Sequence, residues 1–185
     1  MKTIFLGAGG FWTLEAIYKK MKGVEEVVPG YMGGTIPHPS HEAVATGTTG
    51  HIEVVKLTYD DSVVSDTDVL HVFYAMHDTA TQQYPPIGIG SQYRSVIFYT
   101  EDMQAEALDP TNGEGVGVIQ RVIEEIQSTL PEGIPVSTQI MSAGEFYPAE
   151  EYHYRFYENN PDAAYSTEVI APQLDKVTRQ FPSLF

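Results

Sequence analysis

The stretch Ile4-Phe5-Leu6-Gly7-Ala8-Gly9-Gly10-Phe11-Trp12-Thr13-Leu14-Glu15 limits what this chain can fold into more than any other. An apolar strand runs into a glycine turn, and the turn opens a helix that begins with two aromatic residues. Free backbone N–H groups and the positive end of the helix dipole then face whatever lies in front of that turn. Phe11 and Trp12 supply an apolar wall beside it.

Downstream, strands and helices alternate. Residues 2–6 read as a buried strand, 11–21 as a helix with apolar positions Phe11, Leu14, Ile17, Tyr18 and Met21, and 24–31 as a second strand. The segment 32–50, rich in Gly, Pro, Ser and Thr, reads as a long functional loop with a turn of helix near 42–45. Residues 51–59 alternate as a strand. Ser65 or Asp66 caps a helix striped by Val69, Leu70, Val72, Phe73 and Met76.

A second loop covers 77–92, a strand 94–99 and a short acidic helix 101–108, with a break at Asp109-Pro110-Thr111-Asn112-Gly113. Ile119, Val122, Ile123, Ile126 and Leu130 form a core stripe. A strand is expected at 135–141, an aromatic-rich helix at 149–158 and a last helix at 168–181. The pattern predicts an α+β fold, a two-layer sandwich of helices on a mixed sheet with extended loops, in a single domain over 1–185.

Several function classes drop out on composition. A formal charge of −15 argues against nucleic acid and anionic membranes. No apolar run approaches the ~20 residues that cross a bilayer, and the start of the chain lacks a signal peptide, so a cytoplasmic location is expected. Oligomeric state is not legible. There is no cysteine, hence no disulfide, thiolate metal site or thiol nucleophile. Gly7-x-Gly9-Gly10 lacks the third glycine of a dinucleotide fingerprint, and His38, His41, His51 and Glu53 lie in a weak pattern for zinc or iron, so neither cofactor nor metal is expected.

Taken together, the motifs resemble the A-type peptide methionine sulfoxide reductases. The signature Gly-Gly-Cys-Phe-Trp-x-x-Glu reads here with Gly10 at the cysteine. Gly30-Tyr31-Met32-Gly33-Gly34, Thr49-Gly50-His51-Ile52-Glu53, Gly90-Ser91-Gln92-Tyr93-Arg94-Ser95 and Phe146-Tyr147-Pro148-Ala149-Glu150-Glu151-Tyr152-His153 match further motifs, with Asn160-Pro161 following. The resemblance spans 4–181 and implies a ferredoxin-like core. It also implies a pocket in which Glu53 is the acid, Tyr93 an oxygen donor, and Phe11 and Trp12 the methyl cage beside Gly10. His41 stands where the family has a second pocket tyrosine, Gly88 where an Asp is usual, and Ser166 and Ala45 at frequent cysteine positions.

With the thiol missing, the acid–base half is what remains. Glu53 against Phe11 and Trp12 should hold its proton near neutrality, and His41, of a residue type that titrates near ~6.5, could join Glu53 and Tyr93 around vacated space. His51 and His153 read as structural hydrogen-bonders, and Tyr147, Tyr152, Tyr154 and Tyr157 as packing. Three functions compete: a non-redox enzyme doing general acid/base chemistry on a small polar substrate, without thiol-dependent reduction; a pseudoenzyme that captures a methionine-sulfoxide-like ligand without turnover; and a peptide-methionine (S)-S-oxide reductase whose cysteines were replaced. The first is the expectation carried forward.

Overall fold

The computed structural model describes residues 1–77, 90–106 and 116–185, apart from the side chains of 104–106 and 116. In chain order its elements are β1 (Lys2–Gly7), α1 (Phe11–Tyr18), β2 (Val24–Met32), α2 (His41–Ala45), β3 (Ile52–Tyr59), α3 (Asp66–Ala75), β4 (Val96–Tyr99), α4 (Glu101–Glu106) and α5 (Val116–Thr129). β5 (Gln139–Ser142), β6 (Tyr147–Pro148), α6 (Phe156–Asn159) and α7 (Ala171–Gln180) complete them. The six strands form one sheet in the order β5-β4-β1-β3-β2-β6. β4 and β5 run parallel and every other neighbouring pair antiparallel, so the sheet is mixed.

Side chains alternate across a strand, and the sheet accordingly buries two different faces. Ile4 and Leu6 of β1 and Val55, Leu57 and Tyr59 of β3 pack with Leu14, Ile17, Val69, Phe73, Ile119 and Val122 from the helices. Phe5, Ile52, Val54, Val96 and Phe98 form a smaller cluster on the other face, covered by Ala143 and Phe146. This is the expected α+β arrangement of helices on a mixed sheet.

Ser65 starts α3 with a full capping box: its hydroxyl accepts the Asp68 N–H and the Asp68 side chain accepts the Ser65 N–H. Polar contacts tie α3 to the sheet. The Tyr59 hydroxyl donates to Asp66 Oδ1 at 2.8 Å, Lys2 Nζ to Oδ2 at 2.9 Å, and the Tyr18 hydroxyl to the Val69 carbonyl at 2.9 Å.

Three expected helices come out differently. α1 ends at Tyr18, and Lys19 to Met21 turn under it, because Gly23 (φ +82°) must bring the chain back into β2. The expected helix 149–158 is absent: Tyr147–Pro148 pairs with β2, Glu151–His153 makes one tight turn, and only Phe156–Asn159 is helical. Arg155 interrupts it at φ +55°, its N–H held by both carboxylate oxygens of Glu15 at 2.9 and 3.0 Å. Glu15 outcompetes the local helical preference. Tyr152, read as packing, is 67 % exposed. The expected helix at 168–181 begins as a π-type turn, Ser166–Ile170, before α7. The Pro85-Pro86 loop, Gly88 and the Asp109–Gly113 break lie outside the described residues.

Glu15 is only 2 % exposed, and burial raises its pKa while the Arg155 N–H lowers it. Replacing it with Ala should cost about 2 kcal/mol, because a part-buried N–H loses its charged acceptor, and should free the 154–156 amides to exchange. Urea unfolding with amide hydrogen exchange measures both.

Candidate functional site

β1 delivers Gly7 to Gly10 to the top of the sheet, where Gly9 turns at φ +72° and Gly10, extended at φ −77°, precedes α1. The turn carrying Tyr93 (Ser91–Tyr93) docks directly on it: the Gly9 N–H donates to the Tyr93 carbonyl at 3.1 Å. From below, β3 brings Glu53 into register opposite Tyr31 of β2. Glu53 is 3 % exposed. Its carboxyl group meets the backbone N–H of Phe11, in the first turn of α1, and the hydroxyl of Tyr93.

Desolvation dominates those two contacts and pushes the Glu53 pKa from 4.5 up to about 7. Tyr93 is raised too, first by burial and then by the charge of Glu53. Two of the expected site residues therefore form one hydrogen-bonded acid pair at a helix N-terminus.

Phe11 and Trp12, expected as a methyl cage, each pack against other aromatic rings. Trp12 lies flat on Phe156, ring centroids 3.7 Å apart and 4° from parallel, and meets Tyr165 edge-on at 5.3 Å. Phe11 packs on Tyr31 at 5.7 Å and His153 at 5.1 Å. His41, at the start of α2, joins the far side of the cage, stacking over Phe11 at 6.3 Å, and makes no hydrogen bond to Glu53 or Tyr93. The three residues expected as a triad thus divide into a bonded pair and a separate imidazole.

The space beside Gly10 is not vacant, contrary to expectation. A Cβ built on Gly10 would lie 2.8 Å from the Tyr165 hydroxyl, which also bonds Thr13 Oγ1 at 3.2 Å. Sequence reasoning passed over Tyr165 while noting its neighbour Ser166; adjacency to a motif position was the available signal. Ser166 itself is fully buried with its Oγ unpartnered.

Glu150 was likewise missed. Its Oε1 accepts the Tyr31 hydroxyl at 3.2 Å, and its Oε2 accepts the His41 N–H at 3.3 Å and the Tyr152 hydroxyl at 2.9 Å. His51 behaves as a structural hydrogen-bonder, accepting the Gly34 N–H at Nδ1 and bonding the Ile36 carbonyl through Nε2 at 2.7 Å. Both of its nitrogens are thereby occupied. Among the described residues, no group of three His, Asp or Glu side chains is placed to hold a metal ion, and no helix is long and apolar enough to cross a membrane.

A buried acid thus lies under a helix N-terminus, beside packed aromatic rings, on a mixed α+β sheet, and known proteins share that fold. The model of the family "Peptide methionine sulfoxide reductase" matches residues 2–183, and the chain belongs to that family. The peptide methionine sulfoxide reductase MsrA of Polynucleobacter asymbioticus is 41% identical over 97% of this chain and 88% of its own length. That of Thermus thermophilus is 39% identical over 97% and 94%. Among solved structures, methionine sulfoxide reductase A of Corynebacterium diphtheriae superposes with a TM-score of 0.72 at 25% identity, covering 88% of this chain and 76% of that one. Reduced Mxr1 from Saccharomyces cerevisiae gives 0.70 at 29%, covering 88% and 87%.

These relatives overturn the expected function. Proteins alike over nearly the whole chain are named as methionine sulfoxide reductases. The reading of a non-redox acid/base enzyme for another polar substrate is therefore withdrawn, and capture without turnover goes with it. The physical error was to treat one missing side chain as a change of function, when the chain stays alike to its relatives over nearly its whole length.

Two measurements probe this site. The raised Glu53 pKa means that the folded state holds a proton the unfolded chain releases, between about 4.5 and about 7. Stability from this group is full below the lower value, falls as pH rises, and is lost above the upper one. Glu53→Gln should therefore raise Tm at pH 8, by up to about 3 kcal/mol of stability, and give no gain at pH 4. Gly10→Ala should cost about 1 kcal/mol by displacing the Tyr165 hydroxyl, a cost that Gly10→Ala combined with Tyr165→Phe should largely remove in urea melts.

Proposed function

We propose that this chain reduces the methyl sulfoxide of methionine sulfoxide in the cytoplasm, with the sulfur nucleophile supplied by a thiol from solution. The observation that carries the reading is Glu53, buried, protonated up to about pH 7 and bonded to the Phe11 N–H and Tyr93 hydroxyl. A sulfoxide oxygen is a strong acceptor that becomes a leaving group only when protonated. A carboxylic acid that keeps its proton at neutral pH suits that task.

In this reading the Phe11 and Trp12 rings hold the S-methyl group, and the Tyr165 hydroxyl beside Gly10 swings aside to let a thiol reach the sulfur. Tyr93 and His41 hold the oxygen from two sides. Glu53 gives its proton to that oxygen. One external thiol attacks the sulfur, the S–O bond breaks, and water leaves once a second proton arrives. A second thiol then attacks the thiol-derived sulfur of the thiosulfonium intermediate. The balance is one sulfoxide and two thiols to one thioether, one disulfide and one water. No cysteine of the chain takes part, since it has none. A dithiol makes the last step intramolecular and should be the better co-substrate.

Incubating the protein with a methionine sulfoxide peptide and dithiothreitol tests this. The expected result is reduction of one sulfoxide epimer faster than by dithiothreitol alone, with a rate proportional to dithiol concentration and falling as Glu53 ionises above pH 7. Glu53→Gln should lower the protein-dependent rate about 100-fold. A rate equal to that of dithiothreitol alone would overturn the proposal.

A further inference from the structure

Besides stacking on Phe156, Trp12 makes a hydrogen bond whose direction is fixed by its chemistry. The indole Nε1–H donates to Nδ1 of His153 at 3.1 Å. An indole nitrogen can only donate, so Nδ1 must be bare. A charged imidazolium would set N–H against N–H at that contact. His153 is therefore neutral, with its proton on Nε2. Burial, and then the neighbouring His41, push its pKa down in the same sense, while Glu150 pulls the other way.

Keeping that proton on Nε2 has a cost. His153 is 1 % exposed, and among the described residues Nε2 has no hydrogen-bond partner of ordinary length. A buried N–H without an acceptor is destabilising. The group beside it is Glu150, whose Oε2 lies 3.5 Å from Nε2. That distance is long for a hydrogen bond and short enough for a charge to act. Glu150 carries that charge. Burial raises its pKa, but bonds from the Tyr152 hydroxyl and the His41 N–H outweigh burial and leave it lowered. A carboxylate beside one ring nitrogen draws the proton there and leaves the other nitrogen bare.

The opposite tautomer would fail at both ends. With the proton on Nδ1, His153 would turn an N–H toward the indole N–H. Its bare Nε2 would turn a lone pair toward the Glu150 charge. Both contacts repel, and Trp12 would lose a polar anchor. What would remain is packing, chiefly the flat stack on Phe156 with ring centroids 3.7 Å apart. Two parallel rings resist separation much more than sliding, so the N–H anchor is what fixes the indole within its plane.

We propose that Glu150 and His153 are positioning residues for Trp12: the Glu150 carboxylate holds the His153 proton on Nε2, the bare Nδ1 fixes the indole edge, and the indole face is thereby set where it receives the S-methyl group. The receipt of a methyl group rests on the function proposed above; the anchored indole does not. Glu150 then does more than tie Tyr31, the start of α2 and Tyr152 together. Its charge reaches the cage wall through one imidazole.

Long-range ¹⁵N–¹H correlation spectra at pH 8 test the anchor directly and require no turnover. His153 is expected as the Nε2–H tautomer with an imine-type Nδ1, and the Trp12 indole N–H as a downfield signal. Glu150→Gln should turn His153 into mixed tautomers, because an amide can face either one, and should move the indole signal upfield. The decisive arm is a double-mutant cycle with His153→Asn. The Asn side-chain oxygen can accept the indole N–H where Nδ1 stood, and it has no tautomer to be set. Adding Glu150→Gln to that variant should leave the indole signal in place. Nδ1 protonated in the parent, or an unchanged tautomer in Glu150→Gln, would overturn the anchor. Equal indole shifts in both backgrounds would make Glu150 merely structural and overturn it too. In the dithiothreitol assay, Glu150→Gln should raise KM for the sulfoxide peptide about fivefold with kcat within about twofold, the mark of lost binding rather than lost chemistry. An unchanged KM would sink the methyl assignment. Absence of turnover in every protein, with the expected spectra, would sink the function and leave the anchored indole standing.

Discussion

Withdrawal of one carboxyl group from water, beneath the first N–H groups of α1, governs the rest of this molecule. Glu53 reaches that place because β2 and β3 pair with Tyr31 opposite Glu53, and because the glycine turn after β1 leaves the head of α1 directly above. The desolvation is only partly compensated by the Phe11 N–H and the Tyr93 hydroxyl, so the group keeps its proton up to about pH 7. A fold that did not serve a proton-donating site would gain from a Gln or an apolar residue there. Ionising the buried carboxyl above that pH costs stability, a cost that fits the proton-donating role proposed above.

Around that acid the walls come from segments far apart in sequence. Glu15, three residues after Trp12, captures the Arg155 amide and swings Phe156 onto the Trp12 ring. Glu150 ties Tyr31, the start of α2 and Tyr152 together. Two buried or half-buried carboxylates thus set the outer geometry of the cage while a third holds the proton. The irregular chain between β6 and α6 follows from these demands, since a continuous helix over 149–158 would carry the Arg155 N–H away from Glu15.

Legibility from sequence followed the range of the forces involved. The strand–turn–helix opening, the Ser65 cap and the stripe Ile119, Val122, Ile123, Ile126 are local patterns, and they appear where the residues put them. Glu53, Tyr93, Phe11 and Trp12 could be named because ordered motifs carry them, and the structure bonds Glu53 to the Phe11 N–H and the Tyr93 hydroxyl. The break at Arg155 could not be read, because the group that causes it lies 140 residues away. Tyr165 was hidden for the same reason. Nothing local says that its hydroxyl reaches across to α1 and rests where a side chain at position 10 would begin. A vacancy inferred from one residue's lack of atoms takes no account of the neighbour that moves in.

That displacement decides how such a site can work. A nucleophile fixed in the pocket enjoys an effective concentration of about 10⁵ M or more, and a thiol drawn from solution forfeits nearly all of it. In the reaction proposed above, a proton donor supplies about 10²–10⁴ of acceleration, so protonation becomes the larger protein contribution and turnover is expected to scale with the surrounding thiol. The charge of −15 enters at this point. A negative surface discourages carboxylate-bearing thiols from approaching and leaves neutral or cationic ones unhindered, a discrimination that salt would erode over a Debye length of about 10 Å. The Tyr165 hydroxyl, seated on Thr13 at the mouth of the same space, must shift or be bypassed for any thiol to reach the sulfur. In that proposed reaction, access on the sulfur side, rather than acidity on the oxygen side, is therefore the step expected to limit turnover.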